Sequence, residues 1–294
     1  MTKKSGPKPT VQKPTVLVTG ASTGVGMYSA LRFAAAGFET VATMRDVSKS
    51  AALMDMAKAA NVRVKVMALD VASGPSIASC VKAVLDEFGG IDVLLNNAGA
   101  GFLGSVEQTS EAQLRSVMEV NFFGVWNTTK AVLPSMRERG SGRIISVSSV
   151  GGLLGQPFNE AYCAAKFAVE GMMEGLVPLA RNMGIDVCLV EPGPILTEFV
   201  NNVRAVSAGS IAGMTAPYDR FAQNYMGSTG DVFATYGQSG DDIAQIIAHL
   251  ATAQSPAFRT ITSEFAKAMV AAKVVDPTGN SIPPIFTSRL AGKA

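Results

Sequence analysis

Histidine is almost missing from this sequence: His249 is the single one in 294 residues. It lies inside DDIAQIIAHLAT, an amphipathic helix pattern, where it reads as structural. Chemistry that needs a catalytic histidine or a histidine-ligated metal therefore has no support, and no metal site is expected. Cysteine is scarce too. Cys80, Cys163 and Cys188 have no CxxC spacing, which argues against a metal or redox motif and for a reducing, cytoplasmic setting. No stretch approaches the about 20 apolar residues of a membrane span, and no apolar signal-peptide core stands near the start. Nor is there an excess of one charge: 25 basic and 23 acidic residues leave a net +2. The opening MTKKSGPKPTVQKP carries four lysines and no acid, so the rest of the chain is net −2. Residues 1–14 read as a disordered basic tail, and a nucleic-acid partner is not expected.

What the chain does have is alternation. Short β-branched runs, TVLVTG (15–20), ETVATM (39–44), VRVKVMALD (62–70), IDVLLNNAG (91–99), GRIISVSS (142–149) and DVCLVEPG (186–193), are separated by helical patterns. That order predicts βαβ units and an α/β fold, a parallel sheet with helices on both faces, in a single domain. The domain is expected over residues 15–255, with a C-terminal extension, 256–294, packing on it. Residues 195–235 lack clear periodicity, which marks a segment of about 194–235 as a substrate lid or a partly disordered connection.

VTGASTGVG follows the first strand and opens the first helix, with Gly20, Gly24 and Gly26 in a Gly-x3-Gly-x-Gly spacing. Glycines there permit a tight turn and close approach of a pyrophosphate to the free N–H groups of the helix. Gly20, Ser22, Thr23, Gly24, Val25 and Gly26 are thus candidate cofactor residues. An acid that would hold an NAD ribose is expected at the end of the second strand, where this chain has Met44 followed by Arg45. Arg45 suits a 2′-phosphate, so NADP(H) is favoured over NAD(H); Asp46 is the alternative ribose reader. Asp70 and Val71 are candidates for the adenine edge.

AYCAAKFAVEGMM places Tyr162 and Lys166 four residues apart, on one face of a helix. Together with TGASTGVG, NNAG, VNFFG, SVSS and EPGPILT, in this order and spacing, it resembles the short-chain dehydrogenase/reductase family over essentially residues 15–255. The resemblance implies a Rossmann-like doubly wound sheet, a nicotinamide cofactor and a homodimer or homotetramer paired through the tyrosine helix and the one before it. It also implies a catalytic tetrad of Asn121, Ser149, Tyr162 and Lys166, with Asn121 holding a water that links the lysine to solvent. Asn96, Asn97, Ala98 and Gly99 would form the floor of the cofactor pocket, and Pro192, Gly193, Ile195 and Thr197 would meet the nicotinamide end.

Elementary chemistry agrees with the tetrad. A proton must move on or off an alcohol oxygen, and with no usable histidine a tyrosine must move it. Lowering a phenol from about 10 by about three units requires about 4 kcal/mol. A unit charge about 4 Å away supplies that at an effective dielectric of about 20. Lys166 is therefore expected to lower Tyr162. Ser149 would hydrogen-bond the substrate oxygen.

NAGAGFLGSVE, the run from GSGRIISVSS to AVEGM, and DPTGNS resemble the branch of the family that holds estrogenic 17β-hydroxysteroid and photoreceptor-type retinol dehydrogenases. That implies a bulky apolar alcohol or ketone, a 17β-hydroxysteroid first and a retinol or long-chain ketone second. A non-catalytic cofactor-sensing protein is the alternative of another class. Leu153, Phe158, Met214, Tyr218, Phe221 and Tyr225 are candidates for an apolar substrate pocket, and each could equally be core or dimer packing. The estrogenic branch grips a phenolic hydroxyl with a lid histidine and a C-terminal acid. Here APYDRFAQNYMGSTG has no histidine and PPIFTSRLAGKA no acid.

Overall fold

The computed structural model describes residues 13–275 and residue 287. Residues 1–12 of the basic tail, and residues 276–286 and 288–294 of the C-terminal extension, which include the acid-free PPIFTSRLAGKA apart from Thr287, lie outside the described residues.

In chain order the first half runs β1 (Thr15–Val18), α1 (Gly24–Ala35), β2 (Glu39–Met44), α2 (Ala51–Ala59), β3 (Lys65–Ala68), α3 (Gly74–Phe88), β4 (Val93–Asn96), α4 (Glu111–Met118) and α5 (Gly124–Arg139). The second half adds β5 (Gly142–Val147), α6 (Glu160–Arg181), β6 (Ile185–Glu191), β7 (Ile195–Leu196), α7 (Glu198–Ala212), α8 (Tyr218–Tyr236), β8 (Gln238–Ser239), α9 (Gly240–Thr252), β9 (Arg259–Ile261) and α10 (Glu264–Val275). Seven strands form one parallel sheet in the order β3-β2-β1-β4-β5-β6-β9, and β7 pairs with β8 in a small second sheet.

The strands are apolar on both faces because both are covered. Side chains alternate between the faces along a strand. Leu17, Leu94, Ile144 and Leu189 face the helices α3, α5 and α6. Val16, Val18, Leu95, Ile145 and Val190 face α1, α2 and α9. The strand order reverses between β1 and β4, so the loops leaving the carboxyl ends of those strands diverge and open a crevice there. Thr19 ties the two loops together: its hydroxyl donates to Leu95 O at 3.2 Å and accepts from Asn97 N at 3.0 Å and Ala98 N at 3.1 Å.

Two elements differ from the sequence reading. The sheet has a seventh strand, β9, which the six expected strands did not include; it pairs in parallel with the end of β6, Glu191 opposite Ile261. Three residues are too few to show a strand pattern. The segment without clear periodicity, expected as a lid or a partly disordered connection, forms the helices α7 and α8. Its periodicity is weak because α7 buries only Ser207 and α8 only Ala222 and Tyr225, so neither carries a continuous apolar stripe.

Phe33 anchors α1 and hence the loop before it. It is fully buried and packs edge-on against Phe38, ring centroids 5.4 Å apart. Phe33→Ala should cost about 3–5 kcal/mol, read as a lower urea midpoint at unchanged m-value; a loss under about 1 kcal/mol would mean that α1 is held elsewhere.

Candidate active site

The turn between β1 and α1 has the shape an anion needs. Gly20 and Gly24 adopt positive φ, +69° and +58°. A Cβ on Gly20 would lie 2.7 Å from Ala98 Cα, and one on Gly26 would lie 2.3 Å from Gly20 O and 2.4 Å from Asn97 Nδ2. The Asn97 amide donates to Thr19 O at 3.0 Å and Gly20 O at 2.9 Å, fixing the turn from below. Thr23, the N-cap of α1, makes no side-chain cap, and the first turn holds no acid. The leading N–H groups of α1 therefore remain available to a phosphate, with Ser22, Thr23, Gly24, Val25 and Gly26 around them. These residues fit the pyrophosphate of a dinucleotide.

The other cofactor candidates leave the same edge of the sheet. Arg45 follows β2, is exposed, and among the described residues pairs with no acid. Asp46 is occupied as a cap: it accepts from Ser48 N at 3.0 Å and Ser48 Oγ at 2.6 Å, which holds its carboxyl below the usual range. Asp70 and Val71 follow β3; the Asp70 carboxylate accepts from Ala72 N at 3.0 Å. Ala98 and Gly99 follow β4. Pro192 and Gly193 follow β6, Pro192 O accepting from Val150 N at 3.0 Å. Ile195 lies in β7, and Thr197 stands at the root of the lid with its side chain over Gly24, 3.4 Å from where a Cβ would be.

Asn121 sits in a π-helical turn, Glu119–Phe123, between α4 and α5, fully buried. Its amide donates to Ala100 O at 2.6 Å and Val117 O at 2.9 Å, and its oxygen accepts from Ala100 N at 3.2 Å. The side chain thus clamps the loop after β4, and both its donors go to backbone.

Ser149 follows β5 in an extended conformation, φ −169°, and its Oγ accepts from Gly151 N at 3.0 Å. That leaves its own proton for the Tyr162 hydroxyl. Tyr162 and Lys166 do share a face of α6. The ammonium is buried, lies 5.7 Å from the centroid of the Tyr162 ring and donates to Val147 O at 2.8 Å.

The electrostatics correct the expected lowering of the phenol. Burial pushes Tyr162 up to about 12; the hydrogen bond from Ser149 opposes the rise, and Cys163 adds to it slightly. Burial also lowers Lys166 to about 8, with Glu170 pulling the other way. Desolvation is the largest cause of both shifts, a cost that helical spacing alone does not reveal.

The apolar candidates converge. Phe158, Met214 and Tyr225 are buried in one cluster with Val150, next to Ser149, and Leu153, Tyr218 and Phe221 pack against it. Leu103, Ile211, Ala222 and Met226 join Phe158, Met214 and Tyr225 around a cavity of about 10 Å³, and these four escaped the sequence reading. No local pattern marks them, since they belong to a loop and to helices without an apolar stripe. The Tyr162 ring meets Phe199 of the lid at 6.1 Å between centroids. Among the described residues no helix is long and apolar enough to cross a membrane, and no His, Cys, Asp and Glu cluster could hold a metal.

Comparison with known proteins agrees with this geometry. The family model described as short chain dehydrogenase matches residues 14–208. Retinol dehydrogenase 8 of Bos taurus is 39% identical over 274 residues, 90% of this chain and 86% of that protein. The 17-beta-hydroxysteroid dehydrogenase type 1 of Homo sapiens is 35% identical over 274 residues, 90% of this chain and 82% of that one. A short-chain dehydrogenase/reductase from Burkholderia phymatum, solved in complex with NAD, is 25% identical with a TM-score of 0.77, covering 90% of this chain and 94% of that one. A glycine turn shaped for a pyrophosphate at the switch point of a seven-stranded parallel sheet, a serine, tyrosine and buried lysine beside it, and these likenesses lead to one assignment: this chain belongs to the short-chain dehydrogenase/reductase family and is an NAD(P)-dependent oxidoreductase.

Proposed function

We propose that this oxidoreductase interconverts a bulky apolar secondary alcohol and its ketone, a 17β-hydroxysteroid first, using NADP(H). The observation that carries the reading is the apolar cluster around Phe158, Met214 and Tyr225, joined to Ser149 through Val150. The nicotinamide, when bound, supplies or accepts the hydride. Ser149, whose proton otherwise goes to Tyr162, turns it to the substrate oxygen. Tyr162 donates a proton to that oxygen as the ketone is reduced, and accepts one as the alcohol is oxidised. A phenol pushed up to about 12 is fully protonated at neutral pH, which suits the reducing direction. Lys166 keeps a positive charge beside the ring as the phenolate forms. Asn121 holds the loop that carries Ala98 and Gly99.

The cavity of about 10 Å³ has room for about one water. A steroid or retinoid therefore enters only when α7 and α8 move outward. Their polar ties to the body include Leu103 N to Ser207 Oγ at 2.7 Å, Gln113 Nε2 to Ser210 Oγ at 3.1 Å, Tyr218 Oη to Glu107 at 2.9 Å and Asn159 Nδ2 to Tyr225 Oη at 3.4 Å, all exchangeable with water. The likeness to a retinol dehydrogenase favours retinol as the second reading. Exposed Phe123, Trp126, Phe167 and Leu179, around α5 and along α6, support a homodimer or homotetramer paired through those helices.

Tyr162→Phe should lower kcat by about 10²–10⁴-fold and leave cofactor affinity, followed by reduced-nicotinamide fluorescence, nearly unchanged; near-normal turnover would remove the phenol from the chemistry. Arg45→Ala should raise KM for NADP(H) about ten- to a hundredfold, the value of a charge-assisted hydrogen bond, and barely touch KM for NAD(H). Equal effects on both cofactors would make Arg45 a bystander. The substrate is decided by kcat/KM for estradiol, testosterone, retinol and 2-butanol under one condition. Either steroid should lead, with KM of about 1–100 μM. Retinol ahead by tenfold would move the assignment to the retinoid, 2-butanol equal to the steroids would refute the large pocket, and no turnover of any would favour the cofactor-sensing alternative.

A further inference from the structure

Beneath the tyrosine and lysine lies a buried group of charges that the proposed reaction does not use. Glu170 is one turn beyond Lys166 on α6, and Glu191 is the last residue of β6; Glu170 is 4% exposed and Glu191 0%. Arg259 of β9 reaches both. Its Nε donates to Glu170 Oε2 at 3.2 Å and lies equally 3.2 Å from Glu191 Oε1, while its Nη2 donates to the exposed Glu174 at 2.8 Å. One Nε–H serves one oxygen well. It is aligned on Glu170, and among the described residues neither Glu191 oxygen nor Glu170 Oε1 has a well-aligned donor. Ser148, beside Ser149, has a buried hydroxyl within reach of Glu170 and no other partner.

A buried carboxylate with no donor is expensive, and two carboxylates within hydrogen-bond reach of each other do not both ionise. A single proton resolves the arrangement. We propose that Glu170 and Glu191 share one proton, Glu191 donating it to Glu170, so that Glu170 carries the one negative charge facing Lys166 and acts as a positioning residue that keeps the ammonium charged. Among the described residues the titratable or charged neighbours of the pair are Lys166 and Glu174 from α6 and Arg259 from β9, with the Ser148 hydroxyl from the end of β5. Burial and the facing Glu170 push Glu191 up to about 8, in the direction required. Glu170 in turn opposes the lowering of Lys166.

The part of this that concerns Lys166 rests on its proposed role in catalysis; the shared proton does not, and the two are tested separately. A folded Glu191 near 8, against 4.5 for an ordinary glutamate, holds a proton that the unfolded chain has released. Stability should therefore fall as pH rises between about 5 and 8. Urea unfolding of the wild type and of Glu191→Gln from pH 5.5 to 7.5 should show the wild type losing stability relative to the variant, with a slope approaching one proton. The glutamine amide donates to Glu170 at every pH and removes the titration. Equal slopes would overturn the shared proton, as would a Glu191→Gln chain that cannot fold, since it keeps both volume and donor. For the kinetic half, Glu170→Gln should move the alkaline limb of kcat/KM for ketone reduction down by about 1 unit, with activity regained on lowering the pH. A loss that is the same at every pH, or a limb that stays in place, would overturn the effect on Lys166. Should Glu170→Gln not fold, the limb is read in Glu191→Gln, which leaves Glu170 charged throughout and should match the wild type; a limb displaced there refutes the proposal. If the wild type turns over no ketone, the functional reading fails while the urea comparison still decides the proton.

Discussion

The ammonium of Lys166 is buried, and several of its neighbours are arranged around it. Burial alone favours the neutral amine. Val147 O at 2.8 Å gives the charged form one acceptor, and Glu170 gives it an opposite charge one turn away. The first contact ties α6 to the end of β5, which is where Ser149 emerges. The same buried group therefore registers the tyrosine helix against the serine loop. Arg259 extends that registration to β9 and, through Glu191, to the end of β6, just before Pro192 and Gly193. Three segments, α6, the loop after β5 and the end of β6, are thus held together by buried charges.

A second constraint comes from the parallel sheet. Every strand of it points the same way, so every loop with polar work to do leaves the same edge. Gly20, Arg45, Asp70, Asn97, Ser149 and Pro192 are far apart in sequence and come together because each follows a strand of one sheet. The lid is added on top of that edge, and its helices complete a cluster of apolar side chains rather than a hydrogen-bonded frame.

Much of this was legible in the sequence, for identifiable reasons. β2 was read with its true limits because its β-branched run is flanked by a glycine turn and a charged loop. Tyr162 and Lys166 were readable because a spacing of four on a helix needs no tertiary information. β9 was not, since three residues that gain strand character only from pairing with β6 have no local signal. The helices of the lid were missed because they bury so little. Glu170 stood within the stretch that announced the tyrosine and lysine, four residues beyond Lys166, yet its partners Glu191 and Arg259 come from other strands, and only folding assembles the group. The expected lowering of the phenol failed for a related reason: a distance can be inferred from helical spacing, whereas the loss of water around both groups depends on what the rest of the chain places over them.

The side chain of Thr197 at the root of the lid stands over Gly24 of the phosphate turn. A side chain at Gly24 would rest against that threonine while its backbone kept a positive φ, so the glycine turn and the start of α7 are packed as one unit and a change in either is felt by the other.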